Sequence, residues 1–365
     1  MAFSRLQYKK RKLALVIPAH NEEIVLAGTI QSALNAGLHQ ADIFVVSDGS
    51  TDATVKIATR LLGKRNVLAQ KQAGKARAIL HAVEHFGIAR RYEWMHVADA
   101  DSVFTSTYFT ELQSRLDPRY VAATGYLRSL RGGLISQFRS YEYTMGLEVQ
   151  RRIQSFFGVI PVIPGPTSVF RTDILRKLDF TVDSLTEDMD ITMQIHRQKL
   201  GPILYIPQAQ TFTQDPKDIA DFIKQVSRWY RGVWQVVLRH KVGLKLKPQP
   251  IDAYFGLILL EQWVTAAEFV ALPIATVYTH NYAFAASVFL SDFAFFLAFT
   301  VFAAIKNKRD DVVAAFPVFY LLRAISLFIF VRSWYEIVVQ RKFSAPQKGW
   351  SVAGRRYRIV TDAAR

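Results

Sequence analysis

The chain has 365 residues, a formal net charge of +16 and 50% hydrophobic residues, enough for one α/β domain and a second region of about 100 residues. It contains no cysteine, which excludes a disulfide framework, a thiolate zinc site and a cysteine nucleophile. Basic charge combined with high apolar content fits an anionic membrane surface better than nucleic acid, and no nucleic-acid partner is expected.

A basic segment over residues 1–12 is followed by the apolar run 13–17, too short for a signal-peptide core and readable as a buried strand. Residues 43–47 and 94–98 are similar runs, with helical stretches at 22–36, 53–62 and 81–86. This alternation predicts a mostly parallel sheet wrapped by helices over residues 13–240, with ligands beyond the carboxyl ends of the strands.

Polar clusters fall at those ends. Pro18-Ala19-His20-Asn21-Glu22 follows the first strand, where backbone N–H groups meet a nucleotide; capping of the next helix by Asn21 is the plainer reading. Ser47-Asp48-Gly49-Ser50-Thr51-Asp52 ends the second strand. Asp48 there can accept a base N–H or simply shape a turn, and Asp52 reads as a helix cap. Gly74-Lys75 opens a helix but lacks the remainder of a P-loop, so Lys75 either neutralises a phosphate or is a solvated surface lysine.

Asp99-Ala100-Asp101 ends a central strand, and two carboxylates so spaced can divide ribose or sugar contacts from the binding of a hard divalent cation. Thr186-Glu187-Asp188 begins a helix; a carboxylate there can deprotonate an acceptor hydroxyl, or merely complement the helix dipole. Gln225-Val226-Ser227-Arg228-Trp229 lies in the helical stretch 218–240. Arg228 offers a forked cation to a diphosphate, Gln225 shares its face, and Trp229 offers a flat surface to a sugar; an amphipathic interfacial helix accounts for the same pattern.

After the lysine- and proline-bearing linker 241–250, the stretches 251–278, 282–305 and 312–339 are each long enough, at roughly 20 residues or more, to span a bilayer. Two or three spans are therefore expected over 251–339, followed by a basic tail, 340–365. The basic loops before the first and after the second stretch point to the cytoplasm, whereas a third crossing would put the basic tail outside. Glu261, Glu268, Asp292 and Arg323 inside these stretches should face protein or a polar cavity.

Taken in order, SDGSTD, AGKA, DADS, TED and QVSRW resemble the family 2 glycosyltransferases, and within them the processive synthases of cellulose, hyaluronan and poly-N-acetylglucosamine. The resemblance implies a GT-A type fold, interfacial helices at about 132–157 and 218–240, and a cytoplasmic catalytic domain in the cell membrane. By resemblance, Pro18, His20, Glu22, Asp48, Lys75, Asp99, Gln225 and Arg228 bind the donor. Asp101 holds Mg²⁺ or Mn²⁺, Asp188 is the general base with Glu187 beside it, and Trp229, Glu187 and Gly165 meet the acceptor. The donor implied is a nucleotide-diphosphate sugar, UDP-GlcNAc or UDP-Glc first, and the acceptor a saccharide or glycolipid. Ser47-Asp48 stands where the family often has two acids. Two or three spans are few for a polymer channel, so a homo-oligomer or a partner membrane subunit is expected.

Overall fold

The computed structural model describes residues 11–180, 184–243 and 247–343. Most of the basic N-terminal segment, part of the linker and nearly all of the basic tail lie outside the described residues. Eight strands share one sheet: β1 (Arg11–Ala19), β2 (Ile43–Asp48), β3 (Val67–Gln70), β4 (Tyr92–Val97), β5 (Val103–Phe104), β6 (Ala122–Ser129), β7 (Ser168–Arg171) and β8 (Ile203–Thr213). Their order is β3-β2-β1-β4-β7-β6-β8-β5.

Parallel pairing joins β1 to β2 and β4, β2 to β3, and β6 to β8. β7 runs antiparallel between β4 and β6. That reversal matters for the site, because Ser168 at the start of β7 sits opposite Val97 at the end of β4. The loop entering β7 is thereby delivered to the carboxyl edge of the sheet, where Asp99 and Asp101 emerge.

Alternate residues of β1 enter opposite cores, as the period of a strand requires. Leu13, Leu15 and Ile17 pack with α1 (Leu26–Asn35) and α2 (Thr54–Leu62), through Leu26, Ile30, Ala58 and Leu62. Ala14 and Val16 pack with Ala78, Ile79 and Ala82 of α3 (Lys75–His85). Both faces are covered, so β1 reads in sequence as a continuous apolar run. Farther along, α4 (Tyr108–Arg115) adds Tyr108, Phe109 and Leu112 to the first core.

The interfacial helix expected at about 132–157 is interrupted: α5 (Leu134–Thr144) and α6 (Arg151–Phe156) are joined by a π-helical turn, Met145–Gln150. α7 (Glu187–Arg197) carries the acidic motif, and α8 (Ile219–Arg239) begins at Asp218, whose side chain accepts from Asp221 N at 2.8 Å. Three further helices, α9 (Pro250–Thr279), α10 (Tyr282–Asn307) and α11 (Phe316–Trp334), are long and apolar enough to cross a membrane, the last continuing to Val339. The third stretch was expected from 312, but its long helix starts at Phe316 because Pro317 has no N–H to bond the preceding turn.

The two parts are packed together. Ile135 and Phe138 of α5 and Phe222 and Val226 of α8 share an apolar core with Phe296, Phe316 and Phe319 of the long helices. Within that region Arg323 Nη1 lies 2.9 Å from each Asp292 carboxylate oxygen, so these two groups pair across helices. They thus face protein, one of the two settings expected for them.

Gly232 on α8 is where this helix passes the acidic motif: a Cβ there would lie 2.9 Å from Thr186 Cβ and closer still to the rest of that side chain. Gly232→Val is therefore expected to lower stability by about 1–3 kcal/mol through overpacking and to displace Glu187 and Asp188. Thermal unfolding of the detergent-solubilised chain, with turnover measured in parallel, checks both effects.

Candidate active site

The carboxyl ends of β1 and β2 form the outer wall. Pro18 is buried near the end of β1, and the His20 ring Nδ1 lies 2.7 Å from Asp48 O. Asn21 does not cap a helix. It adopts a positive φ of 53° and its Oδ1 accepts from Thr51 N at 2.8 Å, so the helix expected from residue 22 begins only at Leu26. Glu22 is buried, and its backbone N–H donates to Thr54 Oγ1. The N-cap position of α2 falls to Ala53 and not to Asp52, which stands one residue earlier and accepts from Thr54 N at 3.0 Å.

Asp48 is wholly buried and accepts from Gln70 Nε2 at 2.7 Å and from Ala73 N and Gly74 N at 2.8 Å each. It thus anchors the loop that launches α3. Gly74 has φ +96°, a conformation that glycine adopts without a Cβ clash. Lys75 follows and points inward: its Nζ is 2.8 Å from Asp99 Oδ1 and 2.9 Å from Glu187 Oε1. Of the two sequence readings, a solvated surface lysine is the one the geometry removes.

Burial alone would lower the Lys75 pKa, but the Asp99 and Glu187 carboxylates outweigh it and hold the ammonium well above its ordinary range. Burial would raise Glu187, yet Lys75 and then Arg228 hold it below the usual carboxylate value. Asp188 goes the other way. Burial, then the charge of Glu187, push it up to about 6 against the opposing pull of Lys75 and Arg228. Neighbouring carboxyls driven apart in this way are suited to different roles.

These groups line a cavity of about 520 Å³ together with Asp101, Gly165, Gln225, Arg228 and Trp229. Pro18, His20, Glu22 and Asp48 are not on its lining; Asp48 holds the loop that carries Lys75 from behind. A Cβ on Gly165 would fall 2.9 Å from Lys75 Nζ and 3.1 Å from Asp99 Oδ1. Gly165→Ala is expected to disturb this ion pair and cut turnover about tenfold, with little change in melting temperature; steady-state kinetics beside thermal unfolding test it.

Arg228 Nη1 donates to Leu185 O at 3.0 Å, tying α8 to the segment before the acidic motif. Gln225 and Trp229 are both engaged by Arg139, a residue sequence reasoning missed. Arg139 Nη2 donates to Gln225 Oε1 at 2.7 Å, its guanidinium lies 4.5 Å from the centre of a Trp229 ring, and its charge is balanced by Glu142 at 2.6 Å. The signal available was a basic residue inside an amphipathic helix, which reads equally well as a lipid-facing one.

Among the described residues no three His, Cys, Asp or Glu side chains cluster as a metal site. Asp101, 3% exposed, and Asp99 are nevertheless hard oxygen donors on the cavity wall. A magnesium-type ion held by one or two carboxylates and completed by substrate phosphates needs no third side chain, so this donor set fits.

A mostly parallel mixed sheet, helices on both faces and carboxylates gathered at one edge define a GT-A type domain, followed here by three membrane-length helices. Residues 10–232 match the family model described as glycosyltransferase like family 2, and the chain belongs to that family.

Among curated relatives, the poly-beta-1,6-N-acetyl-D-glucosamine synthase of Staphylococcus epidermidis is 25% identical over 236 residues, 62% of this chain and 56% of the relative. The synthase of the same name from Staphylococcus aureus (strain COL) is 22% identical over 234 residues, with the same coverage of 62% and 56%. The chain thus spans about half the length of the curated relatives it matches. Among solved structures, the mannosyltransferase PcManGT from Pyrobaculum calidifontis, in complex with GDP-Man and Mn²⁺, gives a TM-score of 0.61 at 17% identity, covering 86% of this chain and 87% of that one. That likeness concerns the fold.

Proposed function

We propose that the chain is a membrane-anchored, inverting glycosyltransferase of the cell membrane, with its catalytic domain in the cytoplasm. It transfers a hexose or N-acetylhexosamine from a nucleotide-diphosphate sugar, UDP-GlcNAc or UDP-Glc first, to a growing β-linked polysaccharide. The observation that carries this reading is the Asp99–Lys75–Glu187 bridge, which joins the donor edge of the sheet to the acidic motif, beside the half-buried Asp188 whose pKa is pushed up to about 6. The family membership and the curated synthases support it.

Asp188, ionised above about pH 6, takes the proton of an acceptor hydroxyl as that oxygen bonds to the anomeric carbon. The bond from that carbon to the diphosphate breaks on the opposite face, so configuration inverts. Asp101 would hold Mg²⁺ or Mn²⁺, which supplies charge neutralisation for the departing diphosphate, and Asp99 beside it contacts the donor's ribose or diphosphate. Arg228 adds a cation on the same side, and Gln225 borders the diphosphate. Glu187, kept ionised by Lys75, Trp229 and Gly165 shape the acceptor side, and Arg139 fixes both Gln225 and Trp229. Asp48, His20, Pro18 and Glu22 form the wall toward the donor base.

A second reading is a single addition to a lipid acceptor, favoured by Ile258 of α9 and Ser326 of α11 on the cavity wall. The full chain in bilayers, incubated with single nucleotide sugars and Mg²⁺ or Mn²⁺ and followed by product sizing, separates the two. A ladder of lengths supports polymerisation, one defined glycolipid supports single addition, and no metal-dependent turnover of any donor would reject both.

A further inference from the structure

Arg151 is the charged side chain of the cavity that the proposed chemistry leaves unused. It is only 5% exposed, lines the cavity with Gln150 and Gln154, and donates from Nη1 to Val162 O in the loop entering β7. Its Nε has no hydrogen-bond partner among the described residues. Other deeply buried arginines are matched by acids: Arg139 by Glu142, Arg309 by Asp311, and Arg197 by Asp252. For Arg151, burial lowers the pKa to about 10, and the carboxylate acting on it is Asp188, with which it shares the cavity.

One turn along α6, Gln154 Nε2 donates to Tyr254 OH of α9 at 2.8 Å, while its buried Oε1 has no partner among the described residues. The same is true of Ser326 Oγ, on the cavity wall contributed by α11. A buried cation without a counter-ion, beside a free acceptor oxygen and within the field of the proposed base, is a costly arrangement for a chain to keep empty-handed.

We propose that Arg151 and Gln154 form an acceptor subsite for a phosphate group, reached from the side of the cavity bounded by Ile258 and Ser326. Arg151 donates to the anionic oxygens from Nε and its second Nη, and Gln154 Oε1 accepts from a hydroxyl, either the P–OH of a phosphate monoanion or a sugar hydroxyl next to the phosphate. The phosphate belongs to the acceptor, and so the inference rests on the transferase reading. It is carried either by a saccharide or by a lipid anchor lying between the long helices.

The full chain in phosphatidylcholine nanodiscs tests this with four probes: a polyprenyl monophosphate and its parent polyprenol, and a hexose 6-phosphate and its parent hexose. The subsite predicts that at least one phosphate binds tenfold or more tighter than its neutral parent, the lipid pair marking a lipid source and the sugar pair a saccharide source. In Arg151→Gln that preference should vanish, while Arg151→Lys, which keeps the charge and loses the fork, should retain part of it. Equal affinities for charged and neutral probes in the wild-type chain overturn the proposal without any variant, as does a preference that survives in folded Arg151→Gln. Nucleotide-sugar binding, measured on the same wild-type sample, separates the claims. Donor binding without phosphate preference removes only the subsite, whereas no donor binding removes the transferase reading beneath it.

Discussion

Replacing Asp188 by Asn is expected to reduce transfer by about 10²–10⁴-fold while nucleotide-sugar affinity stays close to wild type. The amide keeps the shape of the side chain but cannot take the acceptor proton. In the wild-type enzyme the same carboxyl gives the rate its acidic limb: turnover falls about tenfold per pH unit below about 6, where Asp188 is protonated. Stability carries the opposite sign. Because the folded-state pKa lies above its ordinary value of 3.8, the native chain binds more protons than the unfolded one between those values, so this group's contribution is greatest below 3.8 and is lost as pH rises through 6. Asp188→Asn should therefore melt higher than wild type at pH 8, and the gap should close in acid. Turnover near wild type in the variant would remove Asp188 as the base.

Lys75→Met is expected to have the second largest effect, because it leaves Asp99 and Glu187 without their shared cation. Breaking this mostly buried bridge should destabilise the fold by roughly 3 kcal/mol and lower turnover by about 10²-fold. Lys75 also pulls the Asp188 pKa down. Without it the acidic limb should move above 6, a shift that loss of packing alone would not produce. An unchanged pH profile would mean that Lys75 only props the loop and does not tune the base.

The part of this site that was legible in sequence lies at strand ends. Apolar runs at 13–17, 43–47 and 94–98 mark β1, β2 and β4 because both faces are covered, and Asp48 stands where the second run stops, Asp99 and Asp101 where the third does. Partnership was not legible. Asp48 is committed to Ala73 N and Gly74 N, a contact between residues 25 and 26 positions apart that no local pattern signals. β6 escaped notice because Gly125 and a bulge between Thr124 and Tyr126 break any alternation, while polar Thr124 and Ser129 are buried. Gly125 itself is needed there, since a Cβ would run into Ala209 O.

The helical elements show the same division. Length and apolar content were enough to find α9 and α10. They could not reveal that α5, expected as part of an interfacial helix, turns Arg139 inward to Trp229 and packs Phe138 against Phe319 of α11. An amphipathic helix at a bilayer and one clamped between a catalytic domain and membrane-length helices have the same periodicity, and only the tertiary partner distinguishes them.

The decisive measurement is photolabelling of the full chain in bilayers with a uridine-diphosphate sugar bearing a photoreactive group on the sugar, in the presence of Mn²⁺, followed by mass mapping of the adducts. Attachment to peptides containing Asp99–Asp101, Gly165, Glu187–Asp188 or Arg228–Trp229, suppressed by excess unlabelled donor, is the predicted result. Competable labelling confined to peptides outside this cavity would contradict a single donor site built by these residues.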